Sequence, residues 1–322
     1  MVIAIVLSSF VYLNSQKPYS GNIENVSYAG VSYEYQALVD IAQDQHFFAK
    51  NGINLTMNTY VSGVQTLSAL SSHAVDISFP SEFAFVGSGV LQQQNFTVVA
   101  SIDKYESVFL IFRNDSGIKS TLDLSGKRIG LTLQTLEEFY LGRFLDLQGL
   151  NIHDVTLVNI ATATEAVNAI TNGTVDALVT VQAVVDQLQS QLGNNITVWP
   201  VQSDQFAYAL LVCRSDWVVN HPDTVVRLLK SISEAENYFI NHRASAEDIV
   251  DRYLNRTVTQ EAWSKNQFSL SLDQSLLLAM QDEAQWLVNN NLTDTTSIPN
   301  FLNYIYFNGL ETVNPTSVTI TH

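Results

Sequence analysis

The sequence predicts an α/β protein with two lobes and a mostly helical C-terminal part, and three observations support this fold class. Segments with the two-residue period of strands alternate with segments of helical period through the first two thirds of the chain. A helix–turn–strand pattern recurs at an offset of 100 residues. Beyond Cys213 the apolar spacing becomes mostly helical.

The N-terminal apolar run "VIAIVLSSFVYL", residues 2–13, is shorter than the roughly 20 residues that a bilayer-spanning helix needs. It predicts a signal h-region or a membrane-anchor remnant, although a basic n-region and a small-x-small cleavage site are missing. A buried N-terminal strand is the alternative. We assign residues 1–25 to this segment and a polar linker, and we expect an extracytoplasmic location, periplasm or cell surface, with membrane contact only through this segment.

The next elements follow in order. The segment "ALVDIAQDQHFFAKNG" has apolar residues at helical spacing and ends in Asn51-Gly52, a typical helix stop. From Ile53 to Thr59 apolar and polar residues alternate, which predicts a half-buried strand. Ser62 then precedes the helical segment "VQTLSALSS" and is placed to cap it.

The alternation of strands and helices continues to about residue 180 and predicts parallel or mixed sheets with helices on their faces. Its segments are "VDISF", "FTVVASI", "SVFLIF", "KRIGLT", "TLEEFYLGRFLDLQG", "VTLVNI", "ATEAVNAITNG" and "VDALVT". After Cys213, Pro222 marks a helix start, and the predicted helices are "HPDTVVRLLKSISEAENYFINH", "SAEDIVDRYL", "TQEAWSKNQFS" and "LDQSLLLAMQDEAQWLVNNN".

The internal repeat pairs residues 69–80 with residues 169–180, and Val75-Asp76 matches Val175-Asp176. A genuine repeat would give each lobe an equivalent unit and would make the strand ends at 79–82 and 179–182 equivalent. Coincidence is the alternative, since helix–turn–strand units are common.

Composition and motifs exclude several classes of function. The net charge of −16 and the absence of a basic cluster argue against nucleic-acid binding. Neither nucleotide-binding glycine fingerprint is present, no Gly-x-Ser-x-Gly elbow occurs, and six scattered histidines with one cysteine argue against a metal. We therefore expect no cofactor and no catalytic residue. Cys213, in "YALLVC", is predicted to be an inert buried thiol.

Polar and aromatic residues gather where strands pass into helices, and ligands of open α/β sheets bind at such junctions. Any single Ser or Thr there could simply cap a helix, and Glu137 and Glu138 suit a helix first turn. Together the junctions predict a polar-rimmed binding cleft and not an enzyme. The predicted ligand-binding residues are Tyr33, Glu34, Tyr35, Ser62, Gly63, Ser81, Glu82, Tyr105, Thr132, Gln134, Thr135, Thr180 and Gln182.

Eight Asn-x-Ser/Thr sequons suit an extracytoplasmic protein that could be N-glycosylated. An Asn- and Thr-rich composition that forms sequons by accident is the alternative. The sequons begin at Asn25, Asn54, Asn95, Asn114, Asn172, Asn195, Asn255 and Asn291.

Several ordered motifs resemble the solute-binding proteins of ABC importers for sulfonates, nitrate, taurine and thiamine-pyrimidine precursors. The most specific is "DSGIKSTLDLSGKRIG"; others are "FFAKNGINL", "SGVQTLSALSSHAVDISFPS", "FLDLQGLNIHDVTLVNI", "AVNAITNGTVDALVT" and "HPDTVVRLLKSISEAENYFINHRASAEDIV". The resemblance covers about residues 26–255.

This resemblance implies a type II periplasmic-binding-protein fold, with two lobes joined by crossing strands near 107–113 and 207–214. Lobe 1 would comprise 26–110 and 210–322, and lobe 2 would comprise 111–209. It also implies a monomer that closes on a small-molecule ligand and delivers it to an ABC permease and its ATPase.

The ligand class is judged from departures from the family pattern. Sulfonate and nitrate binders usually carry a Gly followed by Ser or Thr after the strand "KRIGLT", where this chain has Thr132-Leu133-Gln134-Thr135. Glu34, Glu82, Glu137 and Glu138 lie at or near the junctions, without a compensating Lys or Arg. We therefore expect a neutral or cationic ligand with N–H donors, such as an aminopyrimidine stacked on Tyr33, Tyr35 or Tyr105.

Two alternatives to a transport receptor remain. One is an enzyme on the same fold, similar to thiamine-pyrimidine synthases or to dehydratases of menaquinone synthesis; the former carry a cysteine-rich motif that this chain lacks. The other is a sensor ectodomain.

Overall fold

A computed structural model describes residues 19–202 and 205–322, and the N-terminal apolar run lies outside these residues. The described residues form two β-sheets covered by helices, which confirms the predicted α/β class with a helical C-terminal part. None of the helices in the described ranges is both long and apolar enough to cross a membrane.

Eleven strands build the two sheets of the described chain. Their bounds are β1 Glu24–Val31, β2 Ile53–Tyr60, β3 Ile77–Ser78, β4 Phe96–Tyr105, β5 Val108–Arg113, β6 Arg128–Leu131, β7 Thr156–Asn159, β8 Ala177–Val181, β9 Ile196–Pro200, β10 Ala207–Arg214 and β11 Asn266–Ser271.

Helices connect and cover the strands. Their bounds are α1 Ala37–Asp44, α2 Phe47–Lys50, α3 Gly63–Ser71, α4 Glu82–Ala84, α5 Leu136–Asp146, α6 Ala163–Thr171, α7 Gln182–Leu192, α8 Ser215–Asn220, α9 Pro222–Asn241, α10 Arg243–Leu254, α11 Gln260–Ser264, α12 Gln274–Asn289 and α13 Phe307–Val313. A π-helical segment, Phe85–Val90, continues α4.

The two sheets share one strand order. The first runs β2-β1-β3-β10-β4-β11 and the second runs β7-β6-β8-β5-β9. In the first, β1, β2 and β3 are parallel and β10 is antiparallel to β3; in the second, β6, β7 and β8 are parallel and β5 is antiparallel to β8. Each sheet therefore contains the same five-strand unit, and β11 extends the first.

The predicted repeat corresponds to equivalent local structure in both sheets. The Asp76 carboxylate accepts the Ser27 N–H at 2.9 Å, and the Asp176 carboxylate accepts the Arg128 N–H at 2.9 Å. Each aspartate thus joins the start of one parallel strand to its neighbour. Ser62 caps α3 and Thr162 caps α6, again 100 residues apart.

The chain passes between the sheets at two places. It leaves the first sheet after Tyr105 and enters the second at Val108, and it returns between Pro200 and Ala207. The division into lobes near residues 110 and 210 stays a prediction.

Two predicted elements differ from the structure. The segment predicted as one helix from Ala37 breaks at His46, whose φ of 58° is left-handed, and continues as α2. The segment "TQEAWSKNQFS" is helical only over α11, because its last residues pair with β4 as the edge strand β11. That pairing is with a distant strand, so local spacing does not show it.

Helix α12, in the C-terminal part, packs against helices that follow strands of both sheets. Trp286 of α12 contacts Phe139 of α5 in a T-shaped pair with 5.5 Å between ring centroids, and it also packs against Phe83 of α4 at 6.2 Å. Its indole N–H donates to the Asp146 carboxylate of α5 at 3.3 Å. Helix α12 therefore connects the two halves of the fold away from the strand passages.

Candidate ligand-binding site

A cavity lies between the two sheets, where the parallel strands end and the following helices begin. It encloses about 970 Å³ of empty space, including the part open to solvent. Val31 of β1 and Leu131 of β6 line it from opposite sheets, and Val108 lines it next to one strand passage. This is the place at which open α/β sheets bind ligands.

Nine of the thirteen predicted ligand-binding residues line this cavity, and four do not. The nine are Tyr33, Tyr35, Ser62, Gly63, Ser81, Tyr105, Thr132, Thr135 and Thr180. The four outside the lining are Glu34, Glu82, Gln134 and Gln182. Whether any of the nine contacts a ligand stays a prediction.

Neither of the carboxylates predicted at the first-sheet junctions, Glu34 and Glu82, lines the cavity. Glu34 is buried and pairs with Arg256 at 2.6 Å, so it is not an unpaired charge facing the cavity. Glu82 is buried as the first residue of α4 and accepts the Tyr208 N–H at 2.9 Å. The sequence could not show that Arg256, 222 residues away, compensates Glu34.

The two predicted glutamines serve the backbone and neighbouring side chains instead. Gln134 has a left-handed φ of 62° and donates its N–H to the Glu138 carboxylate at 2.7 Å. Gln182 is buried, and its side-chain amide donates to Asp186 at 2.7 Å. A left-handed turn before α5 therefore places Gln134 outside the cavity lining.

The three tyrosines form a stack of their own. Tyr35 stacks on Tyr105 with 4.1 Å between ring centroids, and Tyr33 stacks on Tyr35 at 5.7 Å. The Tyr35 ring is thus flanked by two other rings, and its hydroxyl donates to Ser107 at 3.0 Å. That a ligand ring stacks on Tyr33, Tyr35 or Tyr105 stays a prediction.

The junction after β6 uses its polar groups internally. Thr132 donates its N–H to the Glu137 carboxylate at 2.6 Å and its hydroxyl to the Ile160 carbonyl at 2.9 Å. The Thr135 hydroxyl donates to the Thr132 carbonyl at 2.6 Å. The backbone N–H expected to approach an oxyanion therefore already binds a carboxylate of the protein.

Glu137 is the ionisable group of the cavity. Among the described residues that line it, Glu137 is the one carboxyl and there is no Lys, Arg or His. Burial raises the pKa of Glu137 to about 7, and the hydrogen bond from Thr132 opposes that rise only in part. At neutral pH the carboxyl is thus close to its midpoint of ionisation.

The sequence pointed to Glu137 and Glu138 equally, as ordinary first-turn acids. The structure separates them, because Glu137 lines the cavity while Glu138 is buried behind the turn and accepts the Gln134 N–H. Both carboxylates also lie in the first turn of α5, the position at which an acidic side chain interacts favourably with the helix dipole.

The internal repeat identifies lining residues that junction chemistry missed. Ser62 was predicted to be part of the site, and Thr162, 100 residues later, also lines the cavity. The same offset relates many other lining pairs: Val31 and Leu131, Tyr35 and Thr135, Val61 and Ala161, Gly63 and Ala163, Phe79 and Val179, Pro80 and Thr180, Ser81 and Val181, and Ala84 and Val184. The offset was therefore the signal in the sequence that could have found Thr162.

Helix N-termini from both sheets meet at the cavity. The cap Ser62 and first residue Gly63 of α3 line one side, and the cap Thr162 and first residue Ala163 of α6 line the other. The first N–H groups of a helix lack intrahelical partners, so both sides offer hydrogen-bond donors to a ligand. A Cβ on Gly63 would lie 2.9 Å from Pro80 Cα, so this close approach requires glycine.

Cys213 lies outside this site. It is buried in β10, and burial raises the pKa of its thiol. The predicted inert thiol is confirmed in its buried setting.

The two-sheet fold with a cavity between equivalent halves defines a class, the proteins with the generic periplasmic-binding-protein fold. Within this class, the family described as NMT1/THI5 like matches residues 35–246, roughly two thirds of the chain. The chain belongs to this family, which confirms the resemblance found in its motifs.

Known proteins of this class include binding proteins and an enzyme. A Brucella abortus protein, provisionally named a binding protein, is 22% identical over 264 residues, 78% of each chain. The MOPS-bound alkanesulfonate-binding protein SsuA of Xanthomonas axonopodis has a TM-score of 0.74 at 14% identity, over 89% of this chain and 99% of that one. The desulfurization enzyme DSZB has a TM-score of 0.64 at 16% identity, over 91% and 99%.

Proposed function

We propose that this protein is an extracytoplasmic solute-binding receptor that captures one small molecule between its two sheets. The observation that carries the proposal is the cavity itself, which is lined in equivalent pairs from both halves of the fold. A ligand that touches both halves stabilises a closed arrangement by its differential affinity for it. Occupancy thereby becomes a change of shape that a partner can recognise.

The ligand we propose is neutral or cationic and donates hydrogen bonds, with an aminopyrimidine-like molecule favoured over a sulfonate or nitrate. Three carboxylates that we expected to repel an anion, those of Glu34, Glu82 and Glu138, do not line the cavity and do not support this preference. Glu137 supports this preference by itself. The described residues that line the largely apolar cavity include no cationic side chain, so an ionised carboxylate there attracts N–H donors and repels anions.

The partners follow from the receptor role. We propose that a membrane permease with its ATPase reads the closed state, and that the receptor acts as a monomer. The binding proteins among the relatives and structural neighbours support this role, and the fold of DSZB keeps an enzyme as the alternative. The position of Cys213 inside β10, away from the cavity, favours binding over cysteine chemistry.

A thermal-shift panel tests the ligand class. Aminopyrimidines, alkanesulfonates, nitrate and amino acids are each added to the purified protein at pH 8, where Glu137 is mostly ionised. The true ligand at 100 times its Kd should stabilise the fold by about 2.7 kcal/mol. We expect a shift from an aminopyrimidine and none from nitrate or sulfonates.

The control for this panel is incubation of each shifting compound with the protein, followed by mass spectrometry. An unchanged compound supports a receptor, and catalytic consumption supports the enzyme alternative. A shift from sulfonates alone would show that the ligand class proposed from Glu137 is wrong.

A further inference from the structure

The sequons are placed in a pattern that the ligand site does not explain. The chain has 26 asparagines and eight sequons, against about four expected by chance, because about one residue in six is Ser or Thr. All eight sequon asparagines are exposed. Their positions relative to the cavity carry the inference.

Three sequons lie at the end of the first sheet that is farthest from the cavity. Asn25 is the second residue of β1, whose last residue, Val31, lines the cavity about 20 Å away at the rise of a strand. Asn54 is its register partner on β2. Asn95 precedes β4, whose last residue, Tyr105, lines the cavity about 30 Å away.

Three more sequons lie at the far end of the second sheet. Asn114 follows β5, whose first residue, Val108, lines the cavity about 20 Å away. Asn195 precedes β9 and accepts the Asn114 backbone N–H at 2.9 Å through its carbonyl. Asn172 directly follows α6, whose N-terminal cap, Thr162, lines the cavity about 15 Å away.

We propose that these two far ends carry N-linked glycans and that the mouth of the cavity stays free of them. Four of the six sequons form two close pairs. The Asn54 amide donates to Asn25 Oδ1 at 2.8 Å, and Asn114 Oδ1 accepts the hydroxyl of Thr197, the threonine of the Asn195 sequon, at 2.8 Å. One glycan on each close pair, together with Asn95 and Asn172, gives four attachment positions.

Attachment is compatible with these contacts, because a glycosylated asparagine keeps one N–H on Nδ2 and its carbonyl oxygen. Asn255 differs, since it precedes Arg256, whose guanidinium pairs with Glu34 next to the cavity-lining Tyr33 and Tyr35. A glycan at Asn255 would thus stand near the mouth. The inference goes beyond ligand binding and shares with the proposed function only the export of the chain.

The test is tandem mass spectrometry of proteolytic peptides from protein purified from its native source. We expect glycan masses at Asn95 and Asn172, at one asparagine of each close pair, and none at Asn255. Unmodified peptides at all of these positions would overturn the proposal, as would a glycan at Asn255 with bare far ends.

Secreted recombinant protein provides the matched variants. Asn95→Gln and Asn172→Gln should each remove one glycan mass, whereas Asn220→Gln, at an exposed asparagine outside any sequon, should remove none. Equal masses for all three variants would contradict the proposal. Ligand binding is measured on the same preparations. An unmodified protein that binds a ligand refutes only the proposed glycosylation. A glycosylated protein that binds no compound refutes only the proposed receptor function.

Discussion

At the scale of single residues, the proposed ligand class rests on Glu137, the carboxyl among the described residues that line the cavity. Its carboxylate accepts the Thr132 N–H, the donor that would otherwise be available to an oxyanion of the ligand. The Glu137 carboxylate therefore occupies the place that an oxyanion would take at this N–H. A ligand in the cavity would meet a carboxyl whose charge varies around neutral pH and also raises the pKa of Tyr33.

The affinity for an N–H-donating ligand should rise with pH. With the pKa of Glu137 at about 7, its ionised fraction falls from about 0.9 at pH 8 to about 0.1 at pH 6, so a ligand of constant charge should bind about tenfold more weakly at pH 6. Calorimetric titration at both values measures this. Glu137→Gln should remove the pH dependence, and Glu138→Gln, beside it but outside the cavity, should keep it.

An affinity that falls as pH rises would indicate an anionic ligand. An anion should bind more tightly at pH 6, because protonation of Glu137 removes the repulsion. If the wild type bound its ligand more tightly at low pH, and Glu137→Gln removed this pH dependence, the proposed ligand class would be wrong. Glu137 would still be the group that sets the pH dependence.

A second acid pair lies buried outside the cavity lining. Glu82 of α4 and Glu283 of α12 are both buried, and two neighbouring buried carboxyls of like charge favour a protonated state. Burial raises the pKa of Glu82 to about 8, and burial together with the neighbouring Glu82 charge raises the pKa of Glu283 well above its usual range. Above pH 8 the pair is forced toward two charges in an apolar setting.

The folded state should therefore lose stability as pH rises through about 8, because both carboxyls bind protons more tightly folded than unfolded. Glu283→Gln removes one of the two buried acids, so it should lose less stability than wild type between pH 6 and pH 9. Urea unfolding from pH 6 to 9 measures this. The exposed Glu261→Gln should follow wild type; a flat wild-type profile would refute the argument.

At the scale of elements, the contact between α5 and α12 depends on a missing side chain. A Cβ on Gly142 of α5 would lie 2.0 Å from Trp286 Cζ2 of α12. Trp286 is buried and fixed by Phe139 and by its bond to Asp146, so it has little room to move. Glycine is required here for close packing between helices.

Gly142→Ala should destabilise the protein by about 1–3 kcal/mol, the usual cost of overpacking a core contact. Gly87→Ala is the matched control, because its Cβ would lie 3.6 Å from Leu287 Cδ1, an ordinary contact, and should change stability by less than about 1 kcal/mol. Chemical denaturation measures both. Equal stabilities would show that Trp286 adjusts freely.

The same scale shows what local pattern could and could not predict. The cap at Ser62 and the strand from Ile53 follow from neighbouring residues, and the structure confirms them. The strand β11 forms only by pairing with β4, more than 160 residues earlier, and the break at His46 is a single left-handed residue. Neither the strand pairing nor the left-handed residue produces a periodic pattern of apolar residues in the sequence.

At the scale of the whole molecule, the sequence predicted the fold class and part of the cavity wall. Strand–helix alternation and the family motifs gave the two-sheet architecture, and the rule that ligands bind at strand ends gave nine lining residues. Which carboxylates face the cavity could not be predicted. That depends on long-range pairs such as Glu34 with Arg256 and on the turn that separates Glu137 from Glu138.

The paired lining has one more consequence, for the direction in which a ligand lies. The two halves contribute different side chains, because Phe79 of the first half corresponds to Val179 of the second, and Tyr33, Tyr35 and Tyr105 all belong to the first half. One half of the wall is aromatic and the other is smaller. A flat molecule that could enter in either of two senses therefore finds only one in which its broad apolar edge meets the rings.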